Sequence, residues 1–157
     1  MEQKIYNFYG HETAGRVKAK NAQYPGIGTP IDLYDALSEI WCADTCAPRM
    51  RDGWSPENKT KGQCSITAFL AQDIFGGEVC GMPTENGGVH CYNVVDGITF
   101  DLTSEQFGEQ AGTLVYGGNA RQNRESAMHF AKEEKRLRYE YLKEQLKKKQ
   151  EGSDVRA

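Results

Sequence analysis

The chain has 157 residues, 19 of them basic and 22 acidic, giving a net charge of −3 at neutral pH. That is the length of one domain with room for an appendage, enough to bury roughly two thirds of the surface the unfolded chain exposes. Near-balanced charge without a clustered basic face excludes an ordinary nucleic-acid binder, and no run approaches the roughly 18 apolar residues of a membrane span. Met1–Tyr9 lacks the basic-then-apolar order of a signal peptide, so a cytoplasmic protein is expected. Cys42, Cys46, Cys64, Cys80 and Cys91 are an odd number of cysteines, a poor fit to a secreted disulfide framework. In a reducing compartment they serve as core thiols, metal ligands or a nucleophile.

Residues 1–28 are polar and rich in Gly and Tyr. They read as an irregular N-terminal arm, with weak alternation over Ile5–Tyr9 and room for a short strand over Gly15–Lys18; a hairpin is the alternative. A core domain is expected over 29–108. It opens at Thr29, a good N-cap followed by Pro30 and by Asp32 in the first turn. Ile31, Tyr34, Leu37, Ile40 and Trp41 then recur at helical spacing. Gly53, Pro56, Asn58 and Gly62 mark Arg49–Gly62 as a loop.

The next helix is expected over Gln63–Phe75, stopped by Gly76-Gly77. Ile66, Ala68, Phe69, Leu70, Ala71, Ile74 and Phe75 cover most of its circumference, as in a buried helix, and Cys64 lies in its first turn. Glu78–Met82 reads as a strand, and Val89–Val95 and Ile98–Thr103 read as a hairpin turning at Asp96-Gly97. Residues 109–157 complete the chain: Gln106–Asn123 reads as a polar loop running into a charged helix from about Arg124 to Gln150. Phe130, Leu137, Tyr141, Leu142 and Leu146 give this helix a thin apolar seam. It reads as a solvated helix, with a protein partner on it as the alternative.

A two-residue turn at Asp96-Gly97 fixes the hairpin register. Val95 then faces Ile98, Tyr92 faces Asp101 and His90 faces Thr103, so His90 and Asp101 share a side of the sheet. As diagonal neighbours their α-carbons stand roughly 5.5–8 Å apart, within reach of a carboxylate–imidazole hydrogen bond. A slip of one residue separates them.

Cys64, His90 and Asp101 thereby become candidate catalytic residues. A thiol attacks as thiolate, and a helix N-terminus or an imidazolium lowers its pKa. His90 would take and return the proton, and Asp101 would orient the ring. Backbone N–H groups at the helix start, with Asn58 or Gln63 as side-chain donor, would hold an oxyanion.

The plainer reading makes Cys64 a core residue, His90 an ordinary strand histidine and Asp101 the start of a turn. His11 and His129 are expected to be solvated, and Cys80 and Cys91 to be strand core residues, Cys91 pointing away from His90. Cys42-x3-Cys46 permits a structural zinc with two further ligands, but lacks a second close pair; a core or helix-end role is the main expectation. No cofactor and no metal are expected.

The stretch from Trp54 through Phe107 resembles the YunG-like family of small bacterial proteins. The pieces that carry the resemblance are Trp54-Ser55-Pro56-Glu57-Asn58, Gly62-Gln63-Cys64, Gln72 through Glu78, His90-Cys91-Tyr92-Asn93, and Asp101 through Phe107. More distantly, the order of Cys at a helix start, then His and Asp on adjoining strands, resembles transglutaminase-like and papain-like enzymes. That resemblance implies a triad of Cys64, His90 and Asp101, with Asn58 as the amide preceding the cysteine. The departures are a short core, no aromatic residue after Cys64, and Cys91 as the residue after His90.

The expected fold is α+β: a central buried helix on a small antiparallel sheet, with a long C-terminal helix. The expected function is cysteine-dependent acyl chemistry on an amide or ester, as peptidase, amidase, deamidase or acyltransferase. A non-catalytic binding module and a small structural-zinc domain are the alternatives.

Overall fold

The computed structural model describes residues 5–84, 88–123 and 133–156, with side chains through Glu151. The chain forms helices α1 (His11–Ala14), α2 (Pro30–Ser38), α3 (Cys64–Phe75) and α4 (Glu133–Arg156). Strands are β1 (Glu78–Pro83), β2 (Val89–Val95), β3 (Ile98–Phe100) and β4 (Ala120–Arg121). The strands form one sheet in the order β3-β2-β1-β4, and each paired neighbour is antiparallel. The fold is therefore α+β, as expected.

The start of α2 is set by reciprocal bonds: Asp32 N–H donates to Thr29 Oγ1 at 3.4 Å, and Thr29 N–H donates to Asp32 Oδ2 at 3.0 Å. This is the capping box that satisfies two of the otherwise unpaired donors at a helix start. The helix ends at Ser38, short of the apolar stripe running to Trp41, and its buried residues are Pro30, Leu33, Ala36 and Leu37. Trp41 is buried beyond its end and donates through Nε1 to Thr67 Oγ1 at 3.1 Å.

Helix α3 is buried as its composition requires, with Ile66, Phe69, Leu70, Ala71, Ile74 and Phe75 fully enclosed. It packs on the β2 face that carries Cys91, Asn93 and Val95; Asn93 Nδ2 donates to Ala68 O at 2.8 Å, tying sheet to helix. The opposite face, with Cys80, Met82 and Tyr92, is covered by Leu114 and Tyr116.

Several local expectations are corrected. The N-terminal arm contributes Phe8, Ala14, Val17, Tyr24 and Ile27 to the main core. Gly15–Lys18 is turn and coil instead of strand, and the helical turn α1 precedes it. The Arg49–Gly62 region begins with a 3-10 turn over Pro48–Gly53, and the Gln106–Asn123 region shares a 3-10 segment over Ser104–Thr113 before β4. On α4 the inward residues are Tyr139, Leu142 and Leu146, while Leu137 and Tyr141 are exposed. The expectations for residues 124–132, including His129 and Phe130, lie outside the described residues. Among the described residues, no helix is long and apolar enough to cross a membrane.

Candidate active site

The hairpin register follows from the turn. Asp96 and Gly97 take positive φ of 52° and 80°, and Val95 pairs with Ile98, Val94 with Thr99 and Asn93 with Phe100. Regular pairing stops at Phe100, and the backbone of Asp101 bonds instead to the N-terminal arm, its N–H donating to Tyr9 O at 2.9 Å. Alternation then points His90 and Asp101 to the same side, away from α3.

The two side chains meet: His90 Nε2–H donates to Asp101 Oδ2 at 2.6 Å, with exposures of only 2% and 1%. A second donor reaches the same oxygen, the Tyr116 hydroxyl at 2.7 Å, while Oδ1 accepts from the Thr103 N–H at 3.2 Å and its hydroxyl at 3.3 Å. A buried carboxylate with four donors is desolvated but well satisfied. Phe107 packs its ring edgewise on the His90 imidazole, centroids 4.8 Å apart, and limits how the ring can tilt.

Cys64 is the first residue of α3, at the positive end of the helix. The half-buried thiol lies 4.0 Å from Val89 O, at the start of β2, where the end of α3 overhangs the sheet. From there it meets residues from both faces of the strand. The Cys91 thiol donates to it and His90 stands beside it as a cation; against burial, these hold Cys64 well below the ordinary thiol pKa. Cys91 is correspondingly pushed well up, by Cys64 and by burial, and stays a thiol. Burial works against charge on His90, but Asp101 and Cys64 outweigh it and raise the imidazole to about 10. These opposite shifts favour a Cys64 thiolate beside a His90 imidazolium. Since Asp101 engages Nε2, Nδ1 is the ring nitrogen left to exchange a proton with sulfur.

The site opens on a cavity of about 420 Å³ lined by Cys64, His90, Gln106 and Phe107, among others. Neither Asn58 nor Gln63 lines it. Gln63 is buried and donates through Nε2 to Cys42 O at 3.1 Å, and Asn58 Nδ2 donates to Gln106 O at 3.4 Å. Among the described lining residues the side-chain amide is that of Gln106. Its Nε2 donates to Thr103 O at 3.1 Å and lies 3.5 Å from His90 Nδ1, and its Oε1 accepts from Gly62 N–H at 3.3 Å. Sequence reasoning missed Gln106, Tyr116 and the cavity residues Arg49 and Lys135. The only sequence signal was for Gln106, which falls in one of the motif pieces quoted above.

Cys46 is buried, Cys42 is half-buried at the head of a short 3-10 turn, and Thr45 Oγ1 accepts from Cys42 N–H at 3.0 Å. Among the described residues no group of three or more His, Cys, Asp or Glu side chains is placed to hold a metal ion. His11, expected to be solvated, is about one-third exposed and pairs with Glu12 at 2.7 Å.

Comparison with known proteins places these residues among similar sequences. The family described as YunG protein matches residues 29–151. The curated "Uncharacterized protein YunG" of Bacillus subtilis (strain 168) is 41% identical over 54 residues, 34% of this chain and 46% of the relative. The match thus spans about half of the relative's length. No solved structure matches.

Proposed function

The chain belongs to the YunG family, and we propose that it is a cysteine-dependent acyl hydrolase or acyltransferase with Cys64 as nucleophile, His90 as acid and base, and Asp101 as the residue that orients His90. The observation that carries this reading is the 2.6 Å bond from His90 Nε2 to the buried Asp101, which leaves Nδ1 for a thiol at a helix start. A structural histidine has no need of a half-buried cysteine beside it that faces an open cavity. The order of helix cysteine, strand histidine and following aspartate also favours a short relative of the transglutaminase-like and papain-like enzymes.

The chemistry runs in two halves. The Cys64 thiolate attacks the carbonyl carbon of an amide or ester, forming a C–S bond and an oxyanion. First-turn N–H groups of α3 receive the oxyanion, with Gln106 in the side-chain role first given to Asn58 or Gln63. His90 gives its Nδ1 proton to the departing amine or alcohol as the C–N or C–O bond breaks, leaving a thioester. Water or an amine then attacks, His90 takes its proton, and the C–S bond breaks to regenerate the thiolate.

Iodoacetamide alkylation of each cysteine across pH, read by mass spectrometry, tests this reading. Cys64 should react selectively below pH 7, and His90→Ala should move its inflection up toward the ordinary thiol value of about 8.5. An inert Cys64, or one with an ordinary inflection in the native protein, would favour the binding-module reading instead.

A further inference from the structure

The cavity beside Cys64 has a charge pattern that acyl transfer alone does not require. Arg49, Lys135 and Arg138 line it, against one carboxylate among the described residues, Glu134. Glu134 is committed to Arg138, its partner one turn along α4. Arg138 also donates through Nη1 to Thr45 O at 3.0 Å, so that buried guanidinium braces α4 against the 43–45 turn.

Arg49 and Lys135 add positive charge to the same cavity. Arg49 is exposed at the rim, and its guanidinium lies over Gly88: a Cβ added there would stand 3.4 Å from Nη2. The next residue, Val89, carries the carbonyl 4.0 Å from the Cys64 sulfur. Lys135 is half-buried in the wall contributed by α4, close enough for the Cys64 charge to act on its ammonium. Two cations from two separate elements therefore border the space next to the reacting sulfur. Among the described lining residues basic side chains outnumber carboxylates three to one, although the protein as a whole carries −3.

Resting on the reading of Cys64 as nucleophile, we propose that the acyl donor carries a carboxylate near its acyl carbon and that Arg49 and Lys135 receive it. Arg49 is suited to a paired, two-oxygen contact and Lys135 to a point charge. The substrates are then acidic amides or esters in preference to neutral ones.

Iodoacetate and iodoacetamide test this without a known substrate. With either reagent the sulfur attacks the methylene carbon, a C–S bond forms and iodide leaves, so the two differ chiefly in charge. At low salt, the ratio of iodoacetate to iodoacetamide rates at Cys64 should exceed that of a small free thiol at least about fivefold. The Arg49→Gln/Lys135→Gln double variant should lose most of that excess, and added salt should reduce it in the native protein. A native ratio no higher than that of the free thiol overturns the proposal. So does an excess that survives the double substitution, since His90 would then supply it. In both cases selective low-pH alkylation by iodoacetamide leaves the nucleophile reading intact. Absence of that alkylation overturns both.

Discussion

Tyr116 and His90 converge on a single atom, Oδ2 of Asp101, at 2.7 and 2.6 Å. One donor comes from the strand beside Asp101 and the other from the segment that covers the outer face of the sheet, where the Tyr116 ring also stacks on Tyr9 at 3.8 Å. Burial and the adjacent carboxylate push the Tyr116 phenol well up, so it remains a donor. Tyr116→Phe should therefore cost about 1.5–3 kcal/mol, the worth of a hydrogen bond to a charged group. Urea unfolding would measure this; a midpoint unchanged from the native protein would remove Tyr116 from the support of Asp101.

A Cys64 thiolate paired with a His90 imidazolium would give stability a defined pH profile. His90 has a folded pKa of about 10, above its ordinary 6.5, so its contribution is full below about 6.5 and lost as pH rises through about 10. Cys64 is held well below 9.0, so its contribution is present above about 9 and lost as pH falls through its folded value. Where folded Cys64 is ionised, and between about 6.5 and 9, the folded and unfolded states hold the same number of protons at these two sites, so their joint effect is flat. Cys64→Ala should remove this plateau, leaving a His90 contribution that declines with pH above about 6.5. Denaturant midpoints of native and variant protein, subtracted at each pH, isolate the effect. A flat difference would contradict the paired state.

Asp101→Asn should lower the alkaline limit of the pair. Without the carboxylate, the His90 pKa should fall from about 10, and the imidazole NMR signals would report the titration directly. An unchanged value would mean that Cys64 alone holds the proton on His90.

Gly62→Ala should be costly. Gly62 has a φ of +72°, and an added Cβ would stand 2.5 Å from Cys46 Sγ and 3.0 Å from Ala47 N. Both the backbone conformation and the close approach oppose a side chain. A loss of about 2–4 kcal/mol is expected from strain and overpacking together, measurable as a drop in Tm. A near-neutral result would require the Cys46 loop to yield.

How much of this was legible depended on how local the signal was. The Asp96-Gly97 turn fixed a register over the next few residues on either side, enough to bring His90 and Asp101 together. The burial of α3 was written in its own twelve residues. The burial of Phe8, Ala14 and Val17 was not legible because they are scattered among polar residues with no period and pack on helices and strands far along the chain. The seam of α4 was read as Leu137, Tyr141, Leu142 and Leu146; packing turned Leu142 and Leu146 inward together with Tyr139 and left Leu137 and Tyr141 exposed. Asn58 and Gln63 were weighed as oxyanion donors by nearness in sequence to Cys64. The amide that lines the cavity is Gln106, delivered by the 3-10 segment after Asp101.

The bond between Tyr9 O and Asp101 N–H joins residues 92 positions apart, and the Tyr9 N–H also donates to Ser104 Oγ at 2.9 Å. Synthesis order therefore runs opposite to assembly order. The arm leaves the ribosome first, yet its docking strip along β3 exists only after Ser104 has emerged. The cavity wall bearing Lys135 waits longer still, for the Leu142 and Leu146 turns that seat α4. Such long closures are slow relative to helix formation. The nascent chain thus passes through a stage in which α3 and its cysteine have formed but the outer edge of β3 lies bare. At that stage edge-to-edge pairing between neighbouring chains competes with folding.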